Sequence, residues 1–219
     1  MVSVPKAMNL PVTATRLDHL VVTAPTLESG KEYVRRSLGV SPQMGGEHER
    51  MGTHNLLLRI GASAYLEVIA VNPAAPAARP RWFDLDHLPP HAVPRLASWV
   101  VRTTDIDRLG KVAQLPIGPV ETMSRGDLHW LIALPENGSL ILDGLCPYLI
   151  QWVSREHPAS RLPDLGFHLL SLHAVHPDPE RVVDYWKSLD LEDPPVISRG
   201  EPPRLEAHFA TPSGPRRLN

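Results

Sequence analysis

The chain has 219 residues, 42% hydrophobic and 21% charged, with a formal charge of -2. That is enough to bury a sizeable core, and it offers no basic surface for nucleic acid or an anionic membrane. One cysteine, Cys146, excludes an internal disulfide framework and fits a reducing compartment. Residues 1–16 carry no secretory apolar run, and the apolar stretch from Leu140 to Val153 is broken by Asp143, Gly144 and Pro147. A cytoplasmic protein without a membrane span is therefore expected.

After a flexible N-terminus over residues 1–15, residues 17–23 read as a strand, with Leu17, His19 and Val21 on one face and Asp18, Leu20 and Val22 on the other. Thr26 caps a helix running to about Leu38, with Leu27, Val34 and Leu38 on one side, and Gly39 closes it. The segment around Gly45 and Gly46 reads as a short edge strand. Met51 to Pro73 then reads as a hairpin turning near Gly61 to Ala64, which completes β-α-β-β-β over residues 16–72. Residues 73–94, rich in Pro and Ala, form a connector pinned by Trp82 and Phe83.

The pattern restarts over residues 95–153. Arg95 to Val101 aligns without a gap on Arg16 to Val22, Asp105 caps a helix, and Leu128–Leu134 and Pro147–Val153 read as strands. Gln151 is then expected at the place of Glu67. Residues 165–219 begin a third unit, β-α and one or two strands, with Asp178-Pro179 as a helix start and Val182, Trp186 and Leu189 as its apolar stripe.

Glu67 lies inside the apolar run Tyr-Leu-Glu-Val-Ile-Ala-Val, where an ionised carboxylate is costly unless it faces a cavity, a cation or a ligand. His19 is its expected partner. A two-residue turn would put His54, Leu56 and Leu58 on the face of Glu67, and a loop one residue longer would put Asn55, Leu57 and Arg59 there. The longer loop is preferred, because it keeps Leu56, Leu58 and Ile60 against the helix and spares Arg59 from burial.

Other groupings carry less chemistry. His48 and His54 are spaced too far apart, with Gly52 between them, for a helical zinc-protease motif. His87 and His91 flank Pro89-Pro90, and His173 and His176 read as ordinary histidines at the end of a strand. Cys146 reads as a buried hydrophobe. No nucleophile elbow, phosphate-cradling loop or dinucleotide fingerprint supports a hydrolase, kinase or dehydrogenase.

Tandem β-α-β-β-β units with His on the first strand and Glu on the fourth resemble the vicinal-oxygen-chelate superfamily of glyoxalases, bleomycin-resistance proteins and extradiol dioxygenases. The run Gly45 to Asn55, Tyr65-Leu66-Glu67, Arg81-Trp82-Phe83, Pro147 to Trp152 and His157-Pro158 resembles its bacterial glyoxalase-like branch. The resemblance implies an α+β fold of tandem βαβββ modules, forming curled mixed sheets around a cavity over residues 16–160, with the partial third unit packed on the same domain. It also implies a divalent ion, Mn, Fe, Ni or Zn, on His19 and Glu67. The second module supplies Ser98 and Gln151 instead, a departure, because neutral oxygens replace a His/Glu pair.

Two functions follow from the resemblance. One is a metal-assisted isomerase, lyase or ring-opening enzyme on a small oxygen-rich molecule, with Glu67 or His48 moving a proton. Asn55, Arg59, Trp99, Trp130, Gln151 and Trp152 would bind the substrate. The other is a non-catalytic, drug-sequestering binding protein. Open sheet edges would be satisfied either in a homodimer or by the third unit.

Overall fold

A computed structural model describes residues 15–219; the N-terminal segment expected to be flexible lies, up to residue 14, outside the described residues. The first unit comprises β1 (Arg16–Thr23), α1 (Leu27–Leu38), β2 (Gln43–His48), β3 (Thr53–Arg59) and β4 (Tyr65–Val71). The second comprises β5 (Arg95–Arg102), α2 (Ile106–Val112), β6 (Val120–Arg125), β7 (Leu128–Ala133) and β8 (Tyr148–Trp152). Together they make one eight-stranded sheet in the order β2-β3-β4-β1-β5-β8-β7-β6. Each unit pairs its first and fourth strands in parallel, and the units join through antiparallel β1 and β5.

Local sequence accounts for the ends of these elements. The Thr26 hydroxyl accepts the Ser29 N–H at the start of α1, and Gly39, with φ of 82°, closes it in the left-handed region. Asp105 accepts the Arg108 N–H at the start of α2. The hairpin pairs Leu57 with Glu67 and Arg59 with Tyr65, which is the register of the longer loop. Asn55, Leu57 and Arg59 therefore share the face of Glu67, while Leu56 and Leu58 pack beneath the helices.

Strand alternation divides the sheet into two apolar layers. Leu20, Val22, Leu66, Val68, Trp99 and Val101 face the helices, and Val21, Ile69, Val100, Ile132 and Ile150 face the concave side. Each such fully buried side chain contributes about 1.5–3 kcal/mol. The sheet curls until its edge strands β2 and β6 approach each other, and the connector fills the concave side with Trp82, Phe83 and Leu85. Phe83 and Asp84 both take left-handed conformations, with φ of 56° and 58°. This costs about 1 kcal/mol or more for each residue and turns Trp82 and Phe83 inward.

The C-terminal unit comprises β9 (His168–His176), α3 (Pro179–Ser188), β10 (Val196–Arg199), β11 (Arg204–Ala210) and β12 (Arg216–Leu218). Its sheet runs β10-β9-β11-β12, with its first strand between the second and third rather than beside the fourth. Although its element order repeats that of the modules, its pairing does not. It packs on the helix side of the large sheet and caps neither of that sheet's edges. There the indole N–H groups of Trp99 and Trp186 both donate to the Leu145 carbonyl, at 3.0 and 2.9 Å.

Candidate functional site

The concave side holds two adjoining chambers. The inner one, about 30 Å³, is lined by His19, His48, Tyr65, Glu67, Trp130 and Trp152 among others. The outer one, about 230 Å³, shares His48, Trp82, Arg125 and Trp130 with it and extends past Glu47, Glu49 and Arg50.

At the base of the inner chamber, parallel pairing sets His19 opposite Tyr65 and Val21 opposite Glu67, so the imidazole and carboxylate share one face. His19 stacks on Tyr65 with ring centroids 4.6 Å apart. Its Nδ1 lies 2.7 Å from Asp18 Oδ1, so Nδ1 carries the proton and Nε2 is left as an acceptor. That Nε2 lies 3.5 Å from Glu67 Oε2. The other Glu67 oxygen accepts a hydrogen bond from Asn55 Nδ2. Two buried acceptors that face each other in this way require a cation between them, either a proton or a metal ion.

The separation is also that of two ligands on one ion. Two donors about 2.1 Å from one zinc-like ion at a tetrahedral angle stand roughly 3.4 Å apart. Among the described residues no group of three or more His, Cys, Asp and Glu is placed to hold an ion. His19 and Glu67 are the two donors here that could hold an ion, with water or ligand oxygens completing its shell.

Asp18 orients this pair, and reaches it through an irregularity. Between β1 and β5 the register shifts so that Asp18 is an extra residue on β1, and Ala97 is its counterpart on β5. Simple alternation places Asp18 on the helix face; the bulge turns it to the concave side instead. There it is fully buried. It binds His19 and accepts from Trp152 Nε1 at 2.8 Å and His157 Nε2 at 2.9 Å. Burial pushes its pKa up, but the hydrogen bonds from His157 and His19 outweigh that and hold the carboxyl well below the usual range.

A second cluster spans the two modules. Arg125, at the end of β6, donates from Nη1 to Asn55 Oδ1 at 3.1 Å and lies 3.4 Å from His48 Nε2. His48 Nδ1 meets the Thr53 hydroxyl at 3.1 Å. Burial, then the Arg125 charge, pull the His48 pKa down to about 3. His48 is thereby a neutral acceptor toward Arg125. The two glycines of β2 permit this packing: a Cβ on Gly45 would sit 2.2 Å from Asn55 Oδ1.

Of the residues expected at the site, the structure brings together His19, His48, Glu67, Trp130 and Trp152 on the chamber wall, with Asn55 directly behind Glu67. The other three lie elsewhere. Arg59 shares the face of Glu67 but sits at the far end of β3, donating to the Gly61 carbonyl at 3.0 Å and lying 3.8 Å from Asp164. Trp99 points into the helix-side core, because its neighbour Val100 takes the concave side. Gln151 also alternates away and accepts the Ile106 N–H at 2.9 Å, capping α2.

The twin bulges support the gap-free alignment that puts Ser98 at the place of His19. Register then sets Tyr148, opposite Val100, where Glu67 stands opposite Val21. Ser98 is buried, with its hydroxyl toward the Trp99 carbonyl. Asp18, Tyr65, Trp82, Phe83, Arg125 and His157 were not among the expected site residues. The Arg81-Trp82-Phe83 run signalled two of them, whereas β6, with its polar sequence Val-Glu-Thr-Met-Ser-Arg, carries no strand signal that would have found Arg125.

No curated protein matches the chain. Among solved structures, a hypothetical protein from Staphylococcus aureus is similar over 88% of both chains at 16% identity and a TM-score of 0.60, a likeness of fold alone. Methylmalonyl-CoA epimerase from Mycobacterium tuberculosis matches 67% of this chain and 92% of its own, at 16% identity and a TM-score of 0.41. The Streptomyces coelicolor epimerase with 2-nitronate-propionyl-CoA matches 65% of this chain and all of its own, at 15% identity and 0.43. A family model described as Glyoxalase-like domain matches residues 17–189, and with paired βαβββ units curled around one cavity the chain belongs to that family, within the vicinal-oxygen-chelate superfamily.

Proposed function

We propose that the protein is an enzyme that binds a small oxygen-rich molecule in this cleft and rearranges it by proton transfer, as an isomerase or lyase, with a divalent ion held by His19 and Glu67. The observation that carries this reading is the pair of acceptors 3.5 Å apart, each fixed from behind, His19 by Asp18 and Glu67 by Asn55. A dication there would polarise adjacent ligand oxygens and stabilise an enolate-like anion.

The chain's own groups supply the rest. Asp18 holds the His19 ring in one tautomer. Glu67 is the carboxylate in the lining of the inner chamber, so a proton leaving a ligand carbon goes to it. His48 keeps Arg125 in place as a neutral acceptor. Trp82, Phe83, Trp130 and Trp152 exclude water.

That aromatic wall also suits the second reading, a binding protein in which a proton rather than a metal sits between His19 and Glu67. Elemental mass spectrometry of untagged protein, reconstituted with Mn, Fe, Ni or Zn, separates the two. About one equivalent retained by the wild type and lost in both His19→Ala and Glu67→Gln is expected. No uptake at micromolar metal would reject the enzyme reading as stated and leave the binding protein.

A further inference from the structure

The guanidinium of Arg125 is half-buried between the two chambers, yet among the described residues it has no carboxylate within 4.0 Å. Its neighbours differ: Arg50 and Arg79 both pair with Glu121, and Arg81 pairs with Asp86. The acceptors Arg125 does have, Asn55 Oδ1 and His48 Nε2, are both neutral and both meet the same nitrogen, Nη1. They position the fork without neutralising it. A partly desolvated cation held in this way is poised for an anion from outside the chain.

The backbone is shaped around it as well. A Cβ on Gly46 would sit 2.8 Å from Arg125 Cδ, so β2 leaves room for the side chain to lie across it. Trp82 forms wall for both chambers, and its indole N–H is a buried donor without an acceptor. An anion beside Arg125 would lie in the chambers that Trp82 walls, where that N–H has no acceptor of its own.

We infer that Arg125 anchors the carboxylate of a small 2-oxo or 2-hydroxy acid whose neighbouring oxygen reaches the His19–Glu67 pair. This deepens the function proposed above and rests on it. Asn55 sets the distance, since its Oδ1 takes Arg125 and its Nδ2 serves Glu67. A single amide bridges the anchor and the reacting pair, which places the two close enough for one small acid to touch both.

The charge balance selects a single carboxylate over a polyanion. Glu47 and Glu49 line the outer chamber and Glu67 the inner one, and of the two guanidiniums there Arg50 is already paired with Glu121, so a phosphate dianion would meet three carboxylates with only Arg125 left unpaired. The inner chamber, about 30 Å³ against about 230 Å³ for the outer one, is the narrower of the two, so the tip of the ligand enters it and the rest lies in the outer chamber.

The test is a titration of the metal-loaded chain with lactate and pyruvate by tryptophan fluorescence, with lactamide as the uncharged control and inorganic phosphate as the polyanion. Lactate or pyruvate should bind, phosphate should not, and lactamide should bind roughly 10–100-fold more weakly, the loss of a charge-assisted hydrogen-bond pair. Arg125→Met should lose a similar factor for lactate while still taking up metal. Equal affinity for lactate and lactamide overturns the inference without relying on any variant. So does wild-type lactate affinity in Arg125→Met, or failure of both acids to bind. If metal uptake fails while Arg125-dependent lactate binding persists, the enzyme reading falls and the carboxylate anchor stands.

Discussion

The two βαβββ modules have the same strand order and matching bulges, yet they present opposite chemistry to the cavity between them. From the first come His19, His48, Asn55 and Glu67; from the second come Trp130, Ile132, Ile150 and Trp152, with Arg125 at its rim. At the second module's equivalents of His19 and Glu67 stand Ser98 and Tyr148, and the Tyr148 hydroxyl is committed to the Ser139 carbonyl at 2.9 Å. Doubling the fold therefore does not double the site. One half carries the ionisable groups that the proposed chemistry uses, and the other supplies an apolar wall that strengthens the electrostatics of the first by excluding water.

The sharpest way to break this comparison is to give the second module a carboxylate. Ile150→Glu places one on the inner chamber wall, close to Glu67. It should destabilise the metal-free protein by about 4 kcal/mol, the cost of an uncompensated buried charge, as read by urea denaturation. Added dication should restore much of that loss; unchanged stability without metal would show that the second module's wall is wet.

Asp18 and its counterpart Ala97 sharpen the same contrast. Asp18→Asn removes the charge that His19, His157 and Trp152 converge on, and should cost about 2–3 kcal/mol. Because the folded-state pKa of Asp18 lies below its unfolded value, its contribution is present above about pH 4 and is lost as pH falls below that. The variant's stability should therefore change less between pH 4 and pH 2 than the wild type's, which unfolding monitored by circular dichroism across that range will read.

The smallest effect is expected at Gln151, which the repeat pattern alone aligns with Glu67. Gln151→Leu removes the acceptor of the Ile106 N–H at the start of α2 and should lower stability by about 1 kcal/mol, with metal uptake unchanged. A loss of metal comparable to that of Glu67→Gln would place Gln151 back in the site.

Strongly local signals are legible in the amino-acid sequence alone. Thr26, Gly39, Asp105 and Asp178-Pro179 mark helix ends through hydrogen bonds within three or four residues. The cost of burying Arg59 selects the right hairpin register, and with it the placement of Asn55 beside Glu67. The connector's Trp82 and Phe83 are visible as a pin, though their left-handed turn into the cavity is not.

The sequence by itself determined the first βαβββ unit and the point where its pattern restarts, the face shared by His19 and Glu67, and the absence of a second His/Glu pair, because strand alternation and capping act over a few neighbouring residues. The strand that completes the second unit, β6, has no such local signal. Tertiary structure alone decided the rest. A bulge, set by cross-strand pairing, moved Asp18 onto the concave side. Register between β5 and β8 sent Gln151 beneath α2 and put Tyr148 at the place of Glu67. Curling of the whole sheet brought Arg125, from a strand with no apolar pattern, against Asn55 seventy positions earlier in the chain. Such contacts depend on how distant strands meet, which no local pattern of residues encodes.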